Sequence, residues 1–336
     1  MKKNKAFSLV ELSVVILIIG ILIAGVTQSG RLIRQIKLST ARSLTSSSDV
    51  ASIRDVTAWF EATTAGVFTD INGNTDIDDK SKLRAWRDVN PQKSISDKPI
   101  MTNGTAVDGS TNNTEPKYII SGINGLPSVY FDGGAANGDA TLSDATGDLI
   151  STTDTATMPI LALDKTYSMF AVFRSDKGKA QQNAIIAQIG NDSASLVDQE
   201  FASIGLLDGG SGNNSKPGFI TSTTAAASWV PSERITDYND YIVGALVDFI
   251  TPTSPADASV KLFVNSLTPV VYPAGQTRAS TNIGAAKFII GADAKTTASG
   301  YFTGMISEVI VFDRKIKDEE ALSVMKYLRK KYNINN

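Results

Sequence analysis

Residues Phe7 to Val26 read FSLVELSVVILIIGILIAGV, an apolar run with a single carboxylate, Glu11, inside it. At about 1.5 Å rise per residue such a run makes about 30 Å of helix, enough to cross a hydrocarbon core. A carboxylate at that depth is expensive and calls for a partner or a purpose. The leader MKKNKA ahead of it carries Lys2, Lys3 and Lys5 and no acid. The positive-inside bias keeps those lysines cytoplasmic and sends the rest of the chain outward. A cleaved secretory signal has an apolar region of about 7–15 residues ending in an A-x-A-like site. This run is longer, shows no clear A-x-A before Gly25, and holds a glutamate that a plain anchor does not need.

Composition narrows what the remainder can do. The chain has 336 residues, 42% of them hydrophobic, enough for one large domain or two ordinary ones. Its formal charge of -2 gives no basic footprint for nucleic acid. There is no cysteine, hence no disulfide framework. There is also no histidine, which removes Ser-His-Asp and Cys-His catalysis, His-ligated zinc and the commonest general base.

The stretch Ala6-Phe7-Ser8-Leu9-Val10-Glu11, followed by a long apolar helix, resembles the N-terminus of type IV prepilins and pseudopilins. The resemblance implies a prepilin peptidase as partner, a cut between Ala6 and Phe7, and N-methylation of Phe7. Ala6 stands where the family usually has glycine, a departure that bears on the rate of processing. Glu11 becomes the fifth mature residue and the assembly residue. Its carboxylate and the freed Phe7 amine of a neighbouring subunit, both in hydrocarbon, neutralise one another when helices pack side by side.

Beyond Val26 the residues turn polar and basic, with Gln28, Arg31, Arg34, Lys37 and Arg42. Leu32, Ile33, Ile36, Ala41 and Leu44 keep approximately helical spacing, so the helix is expected to run over 7–44. Thr45-Ser46-Ser47-Ser48-Asp49 breaks it, because short hydroxyl side chains compete for backbone hydrogen bonds. Residues 45–55 are therefore expected to form a linker to a separately folded head, 56–336.

The head shows short apolar runs separated by Gly, Asn, Asp, Ser and Thr clusters, the pattern of an all-β sandwich. Strands are expected at 56–61, 127–131, 167–174, 184–189, 201–207, 241–249, 260–265, 287–291 and 305–312. No long amphipathic helix separates them, which argues against a parallel α/β sheet. One helix closes the chain. Asp318 is expected to cap it, with Glu319 and Glu320 in its first turn and Lys326, Arg329, Lys330 and Lys331 towards its end. Leu322, Met325, Leu328 and Tyr332 form its apolar stripe.

Trp59-Phe60-Glu61-Ala62, Trp86-Arg87-Asp88 and the run Asn124 to Gly133 (NGLPSVYFDG) occur in the order found in bacterial laminin-G-like domains. The ending Gly300 to Phe312 (GYFTGMISEVIVF) with its helix is similar to theirs too. The resemblance implies a mainly β fold: a membrane-spanning helical stalk carrying a concanavalin A-like jelly-roll β-sandwich with a C-terminal helix. Trp59 and Trp86 then fall at core positions.

Three candidate sites follow. Asp70, Asn72, Asn74 and Asp76 have the alternating spacing of the first half of an EF-hand calcium loop. Thr75 replaces that loop's turn glycine and Ser81 its bidentate glutamate, which favours a solvated Asn/Asp turn over a Ca2+ site. Trp229 with Tyr238 and Asn239 is the best candidate for glycan binding, being an aromatic with polar neighbours in a loop-like stretch. Glycosidases need two carboxyl groups flanking the bond. Glu308 lies on an expected strand without a sequence-adjacent partner, so a structural role is expected for it, and no enzyme activity.

The expected function is a pilin-like filament subunit whose large head serves adhesion or binds a surface protein or glycan. It would insert in the inner membrane with the head outside, then enter an extracellular filament. A periplasmic pseudopilin of a secretion machine is the alternative reading. A membrane-tethered carbohydrate-active enzyme is the third.

Overall fold

The computed structural model describes residues 9–102, 115–133, 147–152, 166–176, 184–191, 201–208, 215–220, 228–229, 239–249, 258–276, 286–293 and 300–334. Helix α1, Leu9–Ser46, runs as one piece, and every large apolar side chain from Leu9 to Ile23 is exposed. It is long and apolar enough to cross a membrane. It ends where the hydroxyl cluster begins. Ser46 and Ser47 donate to the Ser43 carbonyl and Ser48 to that of Thr45, turning backbone acceptors away from a further helical turn.

Two antiparallel sheets follow. The first runs, edge to centre, through β15 (Val270–Gln276), β14 (Ala258–Val264), β13 (Asp240–Phe249), β8 (Tyr167–Ser175) and β17 (Gly304–Phe312). The far side of β17 is shared: β6 (Ser128–Phe131), itself paired with β5 (Lys117–Ile119), takes one half and β1 (Val56–Glu61) the other. The second sheet has the order β12 (Ser228–Trp229), β11 (Ser215–Ile220), β10 (Phe201–Asp208), β9 (Ala184–Asn191), β16 (Ala286–Ile290). It continues through β7 (Ile150–Thr152), β4 (Ile100–Thr102), β3 (Leu83–Arg87) and β2 (Phe68–Asp70).

Strand periodicity sorts the first sheet into two faces. Met169, Ala171 and Phe173 of β8 join Val243 and Ala245 of β13 in the core between the sheets. Phe170 and Val172, with Ile242 and Leu246, point the other way. That outer face is buried too, which explains why the strands read as continuous apolar runs rather than as alternating ones. Its cover is α2, Asp318–Tyr332, whose Ala321, Val324, Met325 and Leu328 pack on Phe170, Ile310 and Phe312. The head thus has three layers: sheet, sheet, helix.

Two expectations need correction here. Residues 45–55 do not form a loose linker. Thr45, Val50 and Ile53 are buried, a 3-10 turn occupies Asp49–Ser52, and Ala41 of α1 belongs to the same apolar cluster as α2. The hydroxyl run stops the helix, but Val50 and Ile53 beyond it supply apolar surface that leaves water only by packing on the head. The stalk is therefore seated in the head rather than hung from it. Second, Lys317, not Asp318, is the N-cap of α2. Glu320 accepts the Lys317 backbone N–H at 2.7 Å while paired with Arg314, and Asp318 pairs instead with Lys261.

Candidate functional site

The seat of the stalk contains the most concentrated chemistry among the described residues. The β1–β17 ladder places Glu61 directly opposite Glu308, and on its other side β17 shifts register against β8 between Ile306 and Glu308. Two like charges opposite one another across strands repel. Both project to the outer face of the sheet, and α2 brings Lys331 between them. Its Nζ lies 2.5 Å from Glu61 Oε1 and 2.8 Å from Glu308 Oε2, with all three side chains fully buried. Sequence reasoning placed Lys331 among the basic residues of the last turn that complement the helix dipole. It sits instead on the helix face shared by Val324, Tyr327 and Leu328, as three- and four-residue spacing requires.

The hydrogen bonds around this centre are extensive. Glu308 Oε1 accepts from Trp59 Nε1 at 2.7 Å and Tyr327 OH at 2.9 Å; Oε2 accepts from Lys331 and from Tyr332 OH at 3.0 Å. Glu61 accepts from the Thr63 and Thr64 backbone N–H groups at 2.8 Å each and from the Thr63 hydroxyl. The Lys331 amine also donates to Thr45 Oγ1 of α1 at 2.8 Å, and Thr45 in turn donates to the Ala41 carbonyl. One ammonium thus ties the stalk helix to the first strand, the last strand and the closing helix.

The two carboxyls are pushed apart in acidity. Burial holds the Glu308 carboxyl above the usual carboxylate range, and the neighbouring Glu61 charge adds to this, outweighing the attraction of Lys331. Burial would raise Glu61 as well, but the Lys331 charge and the Lys331, Thr63 and Thr64 hydrogen bonds together bring it below its ordinary value. Burial, then the Glu308 and Glu61 charges, carry the Tyr327 and Tyr332 hydroxyls well above theirs, so both remain hydrogen-bond donors.

Beside the centre lies a mostly apolar cleft of about 570 Å³, lined by Arg42, Thr45, Ser46, Trp59, Thr64 and Pro91 among others. It separates the end of α1 from the loop after β3. That loop clamps the entry to β1. Asp88 Oδ1 accepts the Trp59 N–H at 2.9 Å, Asn90 Nδ2 donates to the Val56 carbonyl, and Gln92 Nε2 donates to the carbonyls of Ala51 and Ile53.

The sites expected from sequence fare differently. Ala6 and Phe7 lie outside the described residues, whereas Glu11 is exposed in the first turn of α1. Asp70 is spent on its own loop, accepting the Asn72 and Asn74 N–H groups at 2.8 and 2.7 Å and Asn74 Nδ2 at 2.8 Å. Those bonds outweigh desolvation and lower its carboxyl below the ordinary value. Asn74 turns its amide nitrogen, a donor, towards Asp70, and Asp76 is exposed further along. Among the described residues no group of three carboxylates or other metal-binding side chains gathers. Trp229 lies in β12 opposite Phe219, in the second sheet, whereas Asn239 is exposed just before β13 of the first. Tyr238 lies outside the described residues. Trp59 and Trp86 are buried, as expected.

Residues 1–27 match the prokaryotic N-terminal methylation motif. The N-terminus is therefore type IV pilin-like, in front of a jelly-roll β-sandwich. No curated protein matches the sequence. Among solved structures, the fold is similar to a GH54 α-L-arabinofuranosidase soaked with 4-nitrophenyl α-L-arabinofuranoside, at TM-score 0.52 and 13% identity over 82% of this chain. A GH54 α-L-arabinofuranosidase soaked with a cyclic sulfate inhibitor gives TM-score 0.53 at 12% identity, also over 82% of this chain. An arabinofuranosidase complexed with arabinofuranosyl-α-1,2-xylobiose gives 0.50 at 12% identity, over 82% of this chain and 59% of that one. The chain spans 63% of the length of each of the first two. At such identities the likeness is one of fold.

Proposed function

We propose that this chain is a type IV pilin-like subunit that assembles through α1 and displays its β-sandwich head outside the cytoplasm. One observation carries the reading. The methylation motif is continuous with a helix whose apolar surface is exposed all round from Leu9 to Ile23 and carries Glu11 in its first turn. Membrane accounts for that surface before processing, and neighbouring helices account for it afterwards. In this reading prepilin peptidase cuts between Ala6 and Phe7 and methylates the Phe7 amine. Glu11 then pairs with the Phe7 amine of an adjacent subunit.

Mass spectrometry of the mature N-terminus tests the processing, with N-methyl-Phe7 expected and an intact Met1 overturning it. Glu11→Val should give a processed, membrane-bound chain that stays out of filaments; normal incorporation sinks the pairing role. Abundance in sheared surface filaments separates a pilus component from a secretion pseudopilin.

The head is proposed as a binding module for a surface protein or a glycan rather than an enzyme. The cross-strand carboxyls Glu61 and Glu308 have the character of a catalytic pair, but both are buried and bridged by Lys331, where no sugar ring reaches them. A glycan array on the processed chain, with and without calcium, tests Trp229 and Asn239 as ligands and Asp70 as a cation residue. A flat array in both conditions leaves protein contacts as the task of the head.

A further inference from the structure

We propose that the Lys331 amine and the Glu308 carboxyl condense within the folded chain, forming an amide cross-link between α2 and β17. The reacting groups are already in contact, at 2.8 Å, and both side chains have no exposure to solvent. Holding a nucleophile against its electrophile in one geometry is worth effective molarities of about 10⁵–10⁸ M. Glu61 supplies the base. Its oxygen lies 2.5 Å from Lys331 Nζ, and the backbone N–H groups of Thr63 and Thr64 keep it in the carboxylate form.

The surroundings fit the division of labour. A carboxylate resists attack by an amine, and only the protonated acid is a workable electrophile. Burial, which raises Glu308, favours that acid, while Glu61 stays ionised. On protonation of Glu308 Oε2, the Tyr332 hydroxyl has a second acceptor in the Ser307 carbonyl at 3.5 Å. Trp59 Nε1 and Tyr327 OH both point at Glu308 Oε1, the atom on which negative charge grows when the amine adds. No other described titratable side chain hydrogen-bonds to the centre.

The steps balance without a further reactant. Lys331 gives one ammonium proton to Glu61, and the free amine adds to Glu308 Cδ, forming the N–C bond with charge on Oε1. The added nitrogen loses a second proton, and one proton joins the departing Oε2 hydroxyl to make water. The products are a neutral amide, a protonated Glu61 and one water; the net charge of the three groups is zero before and after. The link closes a loop of 23 residues between Glu308 and Lys331. It locks α2 over Thr45 in a chain that contains no cysteine for a disulfide.

Peptide mass spectrometry on the full-length wild-type chain, purified from membranes and unfolded before digestion, decides the matter. The expected product is a branched tryptic peptide joining residues 296–314 to 331–336, lighter by one water than its two halves, with no cleavage after Lys331. Lys331→Met should abolish the branch, and Glu61→Gln should leave the two halves separate. Recovery of the wild-type halves as separate peptides, with Lys331 open to acetylation in the unfolded chain, overturns the proposal. That reading of the wild type needs no variant to fold.

Discussion

Asp88→Asn should stabilise the protein at neutral pH. Asp88 is buried beside the entry to β1, and desolvation lifts its carboxyl from 3.8 to about 6, against the pull of its hydrogen bonds and of Lys93 and Lys98. The folded state therefore holds this proton over a window in which the unfolded chain has lost it. Stability falls as pH rises from about 4 to about 6, and the whole penalty stands above that window. Two units at about 1.4 kcal/mol each make it about 3 kcal/mol. Asparagine keeps an oxygen for the Trp59 and Asn90 N–H groups, now met at 2.9 and 2.8 Å. It puts an uncharged amide where Oδ2 has no hydrogen-bond partner. The substitution also forfeits attraction to Lys93, so a gain of about 2 kcal/mol is expected at pH 7.5. Urea unfolding of wild type and variant in the same detergent, from pH 3.5 to 8, gives the difference directly and cancels groups common to both. The difference should be near zero at the acid end, rise through pH 4–6 and level off. A flat difference, or a difference smaller at pH 7.5 than at pH 4, refutes the argument.

Other substitutions test the seat and the core. Thr45→Val removes the acceptor met by Lys331 at 2.8 Å, and should cost about 1–3 kcal/mol and speed hydrogen exchange in residues 41–53 while leaving the second sheet protected. Gly304 has φ +146, and a Cβ there would stand 2.1 Å from the Arg174 carbonyl oxygen, so Gly304→Ala should cost about 3 kcal/mol or more in thermal unfolding. Trp86 is fully buried against Phe60 and Phe68, and Trp86→Ala should lose about 3–5 kcal/mol by urea titration.

Much of the fold was legible because its central strands announce themselves. VTAWFE, YSMFAVFR and MISEVIVF are long, β-branched and aromatic, and they form β1, β8 and β17 at nearly the expected bounds. Several strands that escaped are short and half polar, such as FTD in β2, IMT in β4 and IST in β7, whereas SKPGFI in β11 and VVYPAGQ in β15 are longer but carry an internal proline and glycine. Their identity comes from ladder partners far away in the chain, which no local window contains. The same holds for the buried centre. Lys331 stands three residues after Leu328 of the apolar stripe, but a lysine among lysines was read only as a last-turn cation, and Glu308 and Glu61 are 23 and 270 residues distant. Glu308 was legible as a strand residue; the carboxylate opposite it was not.

The seat also settles how the stalk can act on the head. A helix joined to a domain by slack chain transmits position but not orientation. Here α1 is gripped along one face at several heights. Lys37 donates to the Asn124 carbonyl, Arg42 to the Thr63 carbonyl, and Thr45 receives Lys331, all within the last three turns of α1. The short turn that follows is held by Gln92 at Ala51 and Ile53 and by Asp49, which accepts from Ser323 of α2. Hydrogen bonds at Lys37, Arg42 and Thr45 resist rotation about the helix axis as well as tilt, since either movement breaks them. Two anchors are backbone carbonyls, whose positions are fixed by the fold rather than by free rotamers. If helices pack side by side, the angular setting of each α1 therefore dictates which face of its β-sandwich turns outward. Each face of the head is then held at a defined orientation by its own α1.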